Sequence, residues 1–205
     1  IAEIGVNHEG SINLAKKMIY LAKKGGADAA KFQSYKAETL ASKNSPAYWD
    51  TKKEITKNQF ELFKKYDSFS KKDYNELANY SRKIGIDFIS TPFDDEAVDY
   101  LNPLVPFFKI SSSDITNTPL LRKVSKKKKP IILSTGAASI SEIKDALKVI
   151  NKNGLRDVVL MHCILNYPTR NENANLRMIK GLKKVFPNNL IGYSDHTVPV
   201  SNLPS

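Results

Sequence analysis

Residues 107–114 read FFKISSSD: an apolar run with one lysine inside it, Lys109, that ends in three hydroxyls and an acid rather than in turn residues. Residues 130–136, PIILSTG, repeat the pattern, with Ser134 and Thr135 at the end of the run. A short apolar run bounded in this way reads as a strand covered on both faces, as strands of a parallel sheet are. In a parallel α/β barrel every strand ends on the same face. Polar residues placed just after each strand then converge on one pocket, however far apart they lie in the chain.

Working outward, the pattern recurs in IAEIGVNHEG (1–10), AAKFQS (29–34), FISTPF (88–93), VVLMHCILNYPT (158–169) and LIGYSDHT (190–197). Helix-like segments lie between. Ser11 caps one whose apolar positions are Leu14, Met18, Ile19, Leu21 and Ala22, and Gly25 and Gly26 stop it. Residues 59–66, 72–84 (capped by Ser70), 94–101, 119–126, 140–151 and 176–186 supply the others. Alternation of seven strand runs with helices predicts an α/β fold of the (β/α)8 TIM-barrel type, incomplete, with about seven strands present. A doubly wound sheet is the alternative, but its glycine-rich phosphate turn is absent. A full barrel takes about 250 residues, so this chain of 205 is expected to lack the closing strand and helices. Residues 34–56, with Pro46 and the sole tryptophan, Trp49, show no period and read as a long loop and candidate lid.

With 41% hydrophobic residues the chain can bury a substantial core, and one domain over residues 1–205 is expected. No apolar stretch is long enough for a membrane span and the start has no signal-peptide pattern, so a cytoplasmic location without membrane partners is expected. A single cysteine, Cys163, excludes an internal disulfide framework. The net charge of +11 raises nucleic acid as a partner. Most of the excess is lysine at 52–53, 64–65, 71–72, 126–129 and 183–184, which reads as solvated helix ends without interleaved stacking aromatics. No nucleic-acid partner is expected; a positive field that draws anionic metabolites is.

Lys31 and Lys109 lie inside apolar strands, where an ammonium is costly unless it meets a carboxylate or a bound anion. Two such lysines point to an anionic ligand; structural pairing with Glu3 or Asp114 is the plainer alternative. Thr91, Ser111, Ser112, Ser113, Ser134, Thr135 and Ser194 follow strands and suit phosphate or carboxylate oxygens. Glu3 and Asp114 are carboxylates available for proton transfer. The three histidines, His8, His162 and His196, form no HExxH or helical pair. His162 reads as a hydrogen-bonded core residue, and His196, beside Asp195 just past a strand, sits where a metal ligand belongs. His162 and Cys163 are neighbours on one strand and alternate in direction, so they make no catalytic dyad.

Seven strings in order, IAEIGVNHEGS, GADAAKFQ, FISTPFD, FKISSSD, KPIILSTG, MHCILNYPT and IGYSDHT, together resemble the N-acetylneuraminate (sialic acid) synthase family over nearly the whole chain. The resemblance implies a cytoplasmic, homodimeric transferase. Such an enzyme condenses phosphoenolpyruvate with N-acetylmannosamine or a related aldose and releases phosphate, aided by a divalent metal, Mn2+ with Mg2+ as the alternative. It implies that Lys31, Thr91, Lys109, Ser112, Ser134 and Ser194 bind phosphoenolpyruvate. Gln33, Tyr167 and Asn166 fall on the sugar side, Glu3 and Asp114 are catalytic, and His196 is a metal ligand. Asp114 departs from the usual glutamate, which shortens its reach by one methylene, and Leu165 stands where some members have Asn. A second metal histidine on the eighth strand and a C-terminal antifreeze-like domain are expected to be absent, leaving residues 1–205 weakly active or inactive. Rival readings are another phosphoenolpyruvate–aldose synthase, a Schiff-base aldolase using Lys31 or Lys109, and an inactive anion-binding fragment.

Overall fold

The computed structural model describes residues 1–198. The chain divides into two compact units, Ile1–Pro106 and Phe107–Ser205.

In the first unit β1 (Ala2–Gly5), β2 (Ala29–Ser34) and β3 (Asp87–Pro92) form a parallel sheet in that order. β2, AAKFQS, is buried along nearly its whole length, as a central parallel strand must be when both faces are covered. Helix α1 (Ile12–Lys24) begins where Ser11 Oγ accepts the Leu14 N–H, and it buries Ala15 and Ile19. The intervening segment holds α2 (Ala37–Leu40) and α3 (Gln59–Tyr66). The Asp67 carboxylate, with its side chain 1% exposed, takes hydrogen bonds from Lys36 Nζ at 2.6 Å and from the Ala37 N–H at 3.0 Å. Trp49 Nε1 donates to the Glu54 and Thr56 carbonyls. Helix α4 (Lys71–Ile84) opens on a capping box between Ser70 and Asp73 and ends at Gly85, whose φ of +74° only glycine adopts without strain. α5 (Asp95–Leu101), capped by Asp94, completes the unit around Phe32, Leu77, Ile89 and Leu101.

In the second unit β4 (Phe108–Ile110), β5 (Ile131–Ser134), β6 (Val158–His162) and β7 (Leu190–Tyr193) are parallel and in sequence order. α6 (Thr118–Lys126), α7 (Ile140–Lys152) and α8 (Arg177–Val185) alternate with them. α7 carries a second capping box, Ser139 with Glu142, and buries Ile143, Ala146 and Ile150. The core is Phe108, Ile110, Leu121, Ile131, Leu133, Ile143 and Ile150, all essentially inaccessible. The expected βα alternation is present in both units, and every expected strand appears. The expected loop at 34–56 contains one further helical turn, α2. Among the described residues no helix is long and apolar enough to cross a membrane.

Candidate active site

In the first unit the parallel register sets Glu3 opposite Lys31. Their side chains form an ion pair in which Lys31 is 11% exposed and Glu3 54%. The pair stands beside Gly5 (φ +57°), where an added Cβ would meet Glu3 Oε1 at 3.4 Å and Gln33 Nε2 at 3.7 Å. Glu3, Lys31 and Gln33 therefore gather around one bare backbone position at the end of β1. Thr91, buried, is the register partner of Gln33. The turn after β1 is anchored by His8, which stacks on Phe69 at 4.0 Å and whose Nδ1 accepts the Gly10 N–H at 3.1 Å. Burial holds this imidazole neutral, with a pKa lowered to about 4.

In the second unit the Lys109 ammonium, on β4, donates to Ser134 Oγ at 2.6 Å and to the Ile110 carbonyl at 3.0 Å. Lys109 is 8% exposed and Ser134 4%. Ser112, in the turn after β4, accepts the Gly136 N–H at 3.1 Å, and its Oγ lies 3.2 Å from Cys163 Sγ. The ends of β4, β5 and β6 are thus tied by hydroxyl contacts. Asp114, half-buried, accepts from Asn117 Nδ2 at 3.1 Å and from Ser113 Oγ at 3.4 Å. Its burial pushes the carboxyl above the usual range against those two hydrogen bonds.

His196 follows β7. Its Nδ1 lies 2.5 Å from the Ile164 carbonyl, which assigns the proton to Nδ1 and leaves the Nε2 lone pair for Ser194 Oγ at 3.3 Å. The Tyr167 ring, 73% exposed, lies 4.1 Å from it, and Asn166 is exposed nearby in sequence. Asp195 accepts from Tyr193 OH at 3.0 Å and from the Thr197 N–H at 2.9 Å. His162 makes no dyad with Cys163: its Nε2 lies 2.9 Å from the Ala174 carbonyl and its ring stacks on Tyr193. Among the described residues no group of three or more His, Cys, Asp and Glu comes together as a metal shell. His196, the expected metal ligand, turns its Nε2 to the Ser194 hydroxyl, and one histidine by itself does not hold a divalent ion.

Within the second unit, then, Ser112, Ser134, Ser194 and His196 are each set at or just beyond a strand end, and Lys109 lies within β4 with its ammonium on Ser134. In the first, the pairing of Lys31 with Glu3 is the structural alternative raised above. Two residues that strand-end reading passed over are Gly136 and Cys163, whose relation to Ser112 spans 24 and 51 residues of sequence. The only local signal was a glycine directly after STG's hydroxyls. Electrostatics separate the units: residues 107–205 hold 16 Lys and Arg against 6 Asp and Glu, whereas residues 1–106 hold 16 against 15. An anion is therefore drawn chiefly by the second unit.

A family model described as the NeuB family matches residues 18–203. An uncharacterized protein of Methanocaldococcus jannaschii is 50% identical over 98% of this chain and 56% of its own length. The N,N'-diacetyllegionaminic acid synthase of Campylobacter jejuni is 44% identical over 96% of this chain and 60% of its own. The crystal structure of N-acetylneuraminic acid (sialic acid) synthetase from Leptospira borgpetersenii, solved in complex with citrate, is 38% identical with a TM-score of 0.84, covering 96% of this chain and 64% of that one. The chain spans less than two thirds of the length of each of these proteins. Its fold is the parallel α/β barrel type of the solved synthetase, with seven strands among the described residues.

Proposed function

Because the chain belongs to the NeuB family, we propose that it forms the barrel of a C–C bond-forming synthase acting on phosphoenolpyruvate and N-acetylmannosamine or a related N-acyl aldose. The product is a sialic-acid-type nonulosonate, and phosphate is released. The observation that carries this reading is the buried Lys109 ammonium on the Ser134 hydroxyl, with the Ser112 hydroxyl held by the Gly136 N–H. A buried cation beside hydroxyls at two neighbouring strand ends supplies both charge and hydrogen-bond donors for an anion.

In this reading C3 of phosphoenolpyruvate attacks the open-chain aldehyde, whose oxygen takes up a proton. Water then adds at C2 and gives up one proton; as the bond from C2 to the phosphate oxygen breaks, the new hydroxyl gives up its remaining proton and becomes the keto oxygen, and phosphate is released. Lys109, Ser112, Ser134 and Ser194 in the second unit hold the carboxylate and phosphate charge; Lys31 and Thr91 carry the same assignment on the resemblance alone. Because that charge is present in substrate and transition state alike, these contacts act mainly on binding. Glu3 and Asp114 are assigned to the proton movements, and Gln33, Tyr167 and Asn166 to the sugar. The divalent ion expected for such a synthase, Mn2+ or Mg2+, would polarise the aldehyde. His196 Nε2 would be one of its ligands.

A cytoplasmic homodimer is part of the same proposal, as is weak or absent turnover by residues 1–205 alone. The test incubates the full-length protein with phosphoenolpyruvate, Mn2+ and a panel of N-acyl aldoses, following phosphate release and product mass. Phosphate release that depends on the aldose, with a nine-carbon keto acid formed, is expected. A borohydride-trapped lysine adduct instead would point to a Schiff-base aldolase and overturn it.

A further inference from the structure

Ser112 Oγ has two lone pairs and one proton to place. One lone pair takes the Gly136 N–H at 3.1 Å. The second neighbour is Cys163 Sγ at 3.2 Å, from a thiol only 4% exposed and used by no step above. If the thiol donates, both lone pairs are filled and the Ser112 O–H is left to point outward as a donor. If instead Ser112 donates to sulfur, that hydrogen is spent and the hydroxyl has little to offer an anion. The direction of the thiol contact thus sets the polarity of the hydroxyl.

We infer that Cys163 is a positioning residue: by donating its S–H to Ser112 it turns the serine O–H towards a bound oxyanion. This rests on the reading of Ser112 as a phosphoenolpyruvate-binding residue. The packing agrees with so tight a placement. A Cβ at Gly136 would fall 2.9 Å from Cys163 Sγ, 2.9 Å from Leu165 Cδ2 and 3.0 Å from Ser112 Oγ. No side chain fits there without moving the thiol, the hydroxyl or both. The contact joins the turn after β4 to the end of β6, so it fixes the hydroxyl from two strands at once.

The inference separates from a merely structural role by its kinetic signature. A contact made equally in the bound substrate and the transition state changes KM and leaves kcat in place. In the full-length protein, Cys163→Ala should raise the KM for phosphoenolpyruvate by about three- to tenfold, the span expected for one hydrogen bond. The kcat and the KM for the aldose should stay within about twofold. Cys163→Ser keeps a donor and should recover most of the loss. In a Ser112→Ala background, Cys163→Ala should add nothing further, because the two act as a unit. Should the alanine variant melt early, Cys163→Val replaces it; the residue also lines a cavity of about 190 Å³ with Thr135, His162 and Met178, which gives the extra methyl room. An unchanged phosphoenolpyruvate KM in the alanine and valine variants, equal losses in the alanine and serine variants, or additive losses in the double variant would overturn the inference while leaving the function standing. Failure of the wild-type protein to bind phosphoenolpyruvate would remove both.

Discussion

The Lys109 ammonium lies 2.6 Å from the Ser134 hydroxyl, so the ends of β4 and β5 are joined through a buried charge rather than by apolar packing alone. Burying an ammonium costs free energy that a methionine of similar volume avoids, and the hydrogen bonds to Ser134 and to the Ile110 carbonyl offset part of that cost. Lys109→Met should therefore shift the melting temperature by only about 3 °C while lowering phosphoenolpyruvate affinity at least tenfold. Calorimetric titration beside a thermal melt checks both halves. A melt lowered by about 10 °C with affinity intact would make this a structural lysine.

The Glu3–Lys31 pair has unequal members. Glu3→Gln strands an ammonium that is nearly nine-tenths buried, whereas Lys31→Met leaves a carboxylate that is half in water. The glutamine variant should lose about 2 kcal/mol in urea unfolding and the methionine variant under about 1 kcal/mol. The reverse order would mean that the pair does not carry the end of β1.

His8 adds a pH dependence. Its folded pKa of about 4 lies below the unfolded value of 6.5, so between them the unfolded chain binds more protons. Stability contributed by neutral His8 is present above pH 6.5 and is lost as pH falls towards 4, when protonation also removes the Nδ1 acceptor for the Gly10 N–H. Denaturation midpoints measured across that window should fall less steeply in His8→Phe, which keeps the stacking on Phe69. Parallel slopes would show that His8 is not the group responsible.

Asp114 keeps its proton to higher pH than a solvated aspartate because it is buried. If it moves a proton in the reaction, the acid limb of kcat/KM should report an apparent pKa above the ordinary carboxylate value of about 3.9. Asp114→Asn should flatten that limb and lower kcat, and Asp114→Glu should keep the limb. A limb that persists in the asparagine variant assigns the proton elsewhere.

Much of this architecture is local and therefore readable. Ser11 and Ser70 announce their helices because a cap is a bond within three residues, and each observed helix begins at the residue after its cap. Strand positions follow from apolar runs covered on both faces. α2 escaped because four residues carry no period and its first N–H is satisfied by Asp67, 30 residues away. The site divides in the same way. Lysines in apolar strands flag themselves by their cost, but whether each meets a carboxylate or a hydroxyl is set by register between strands: Lys31 met Glu3 and Lys109 met Ser134. Cys163 was visible only as a residue that could not face His162; its actual neighbour, Ser112, is reached through the fold.

Asp67 meets Lys36 and the Ala37 N–H at the near end of a long excursion, and α3 runs directly into Asp67 at its far end. The excursion is thus cinched where it leaves and where it returns. Added or deleted residues between 41 and 57 alter a closed loop whose entropic cost grows only slowly with length. The contents of that loop can then change while the strands that carry the lysines stay as they are.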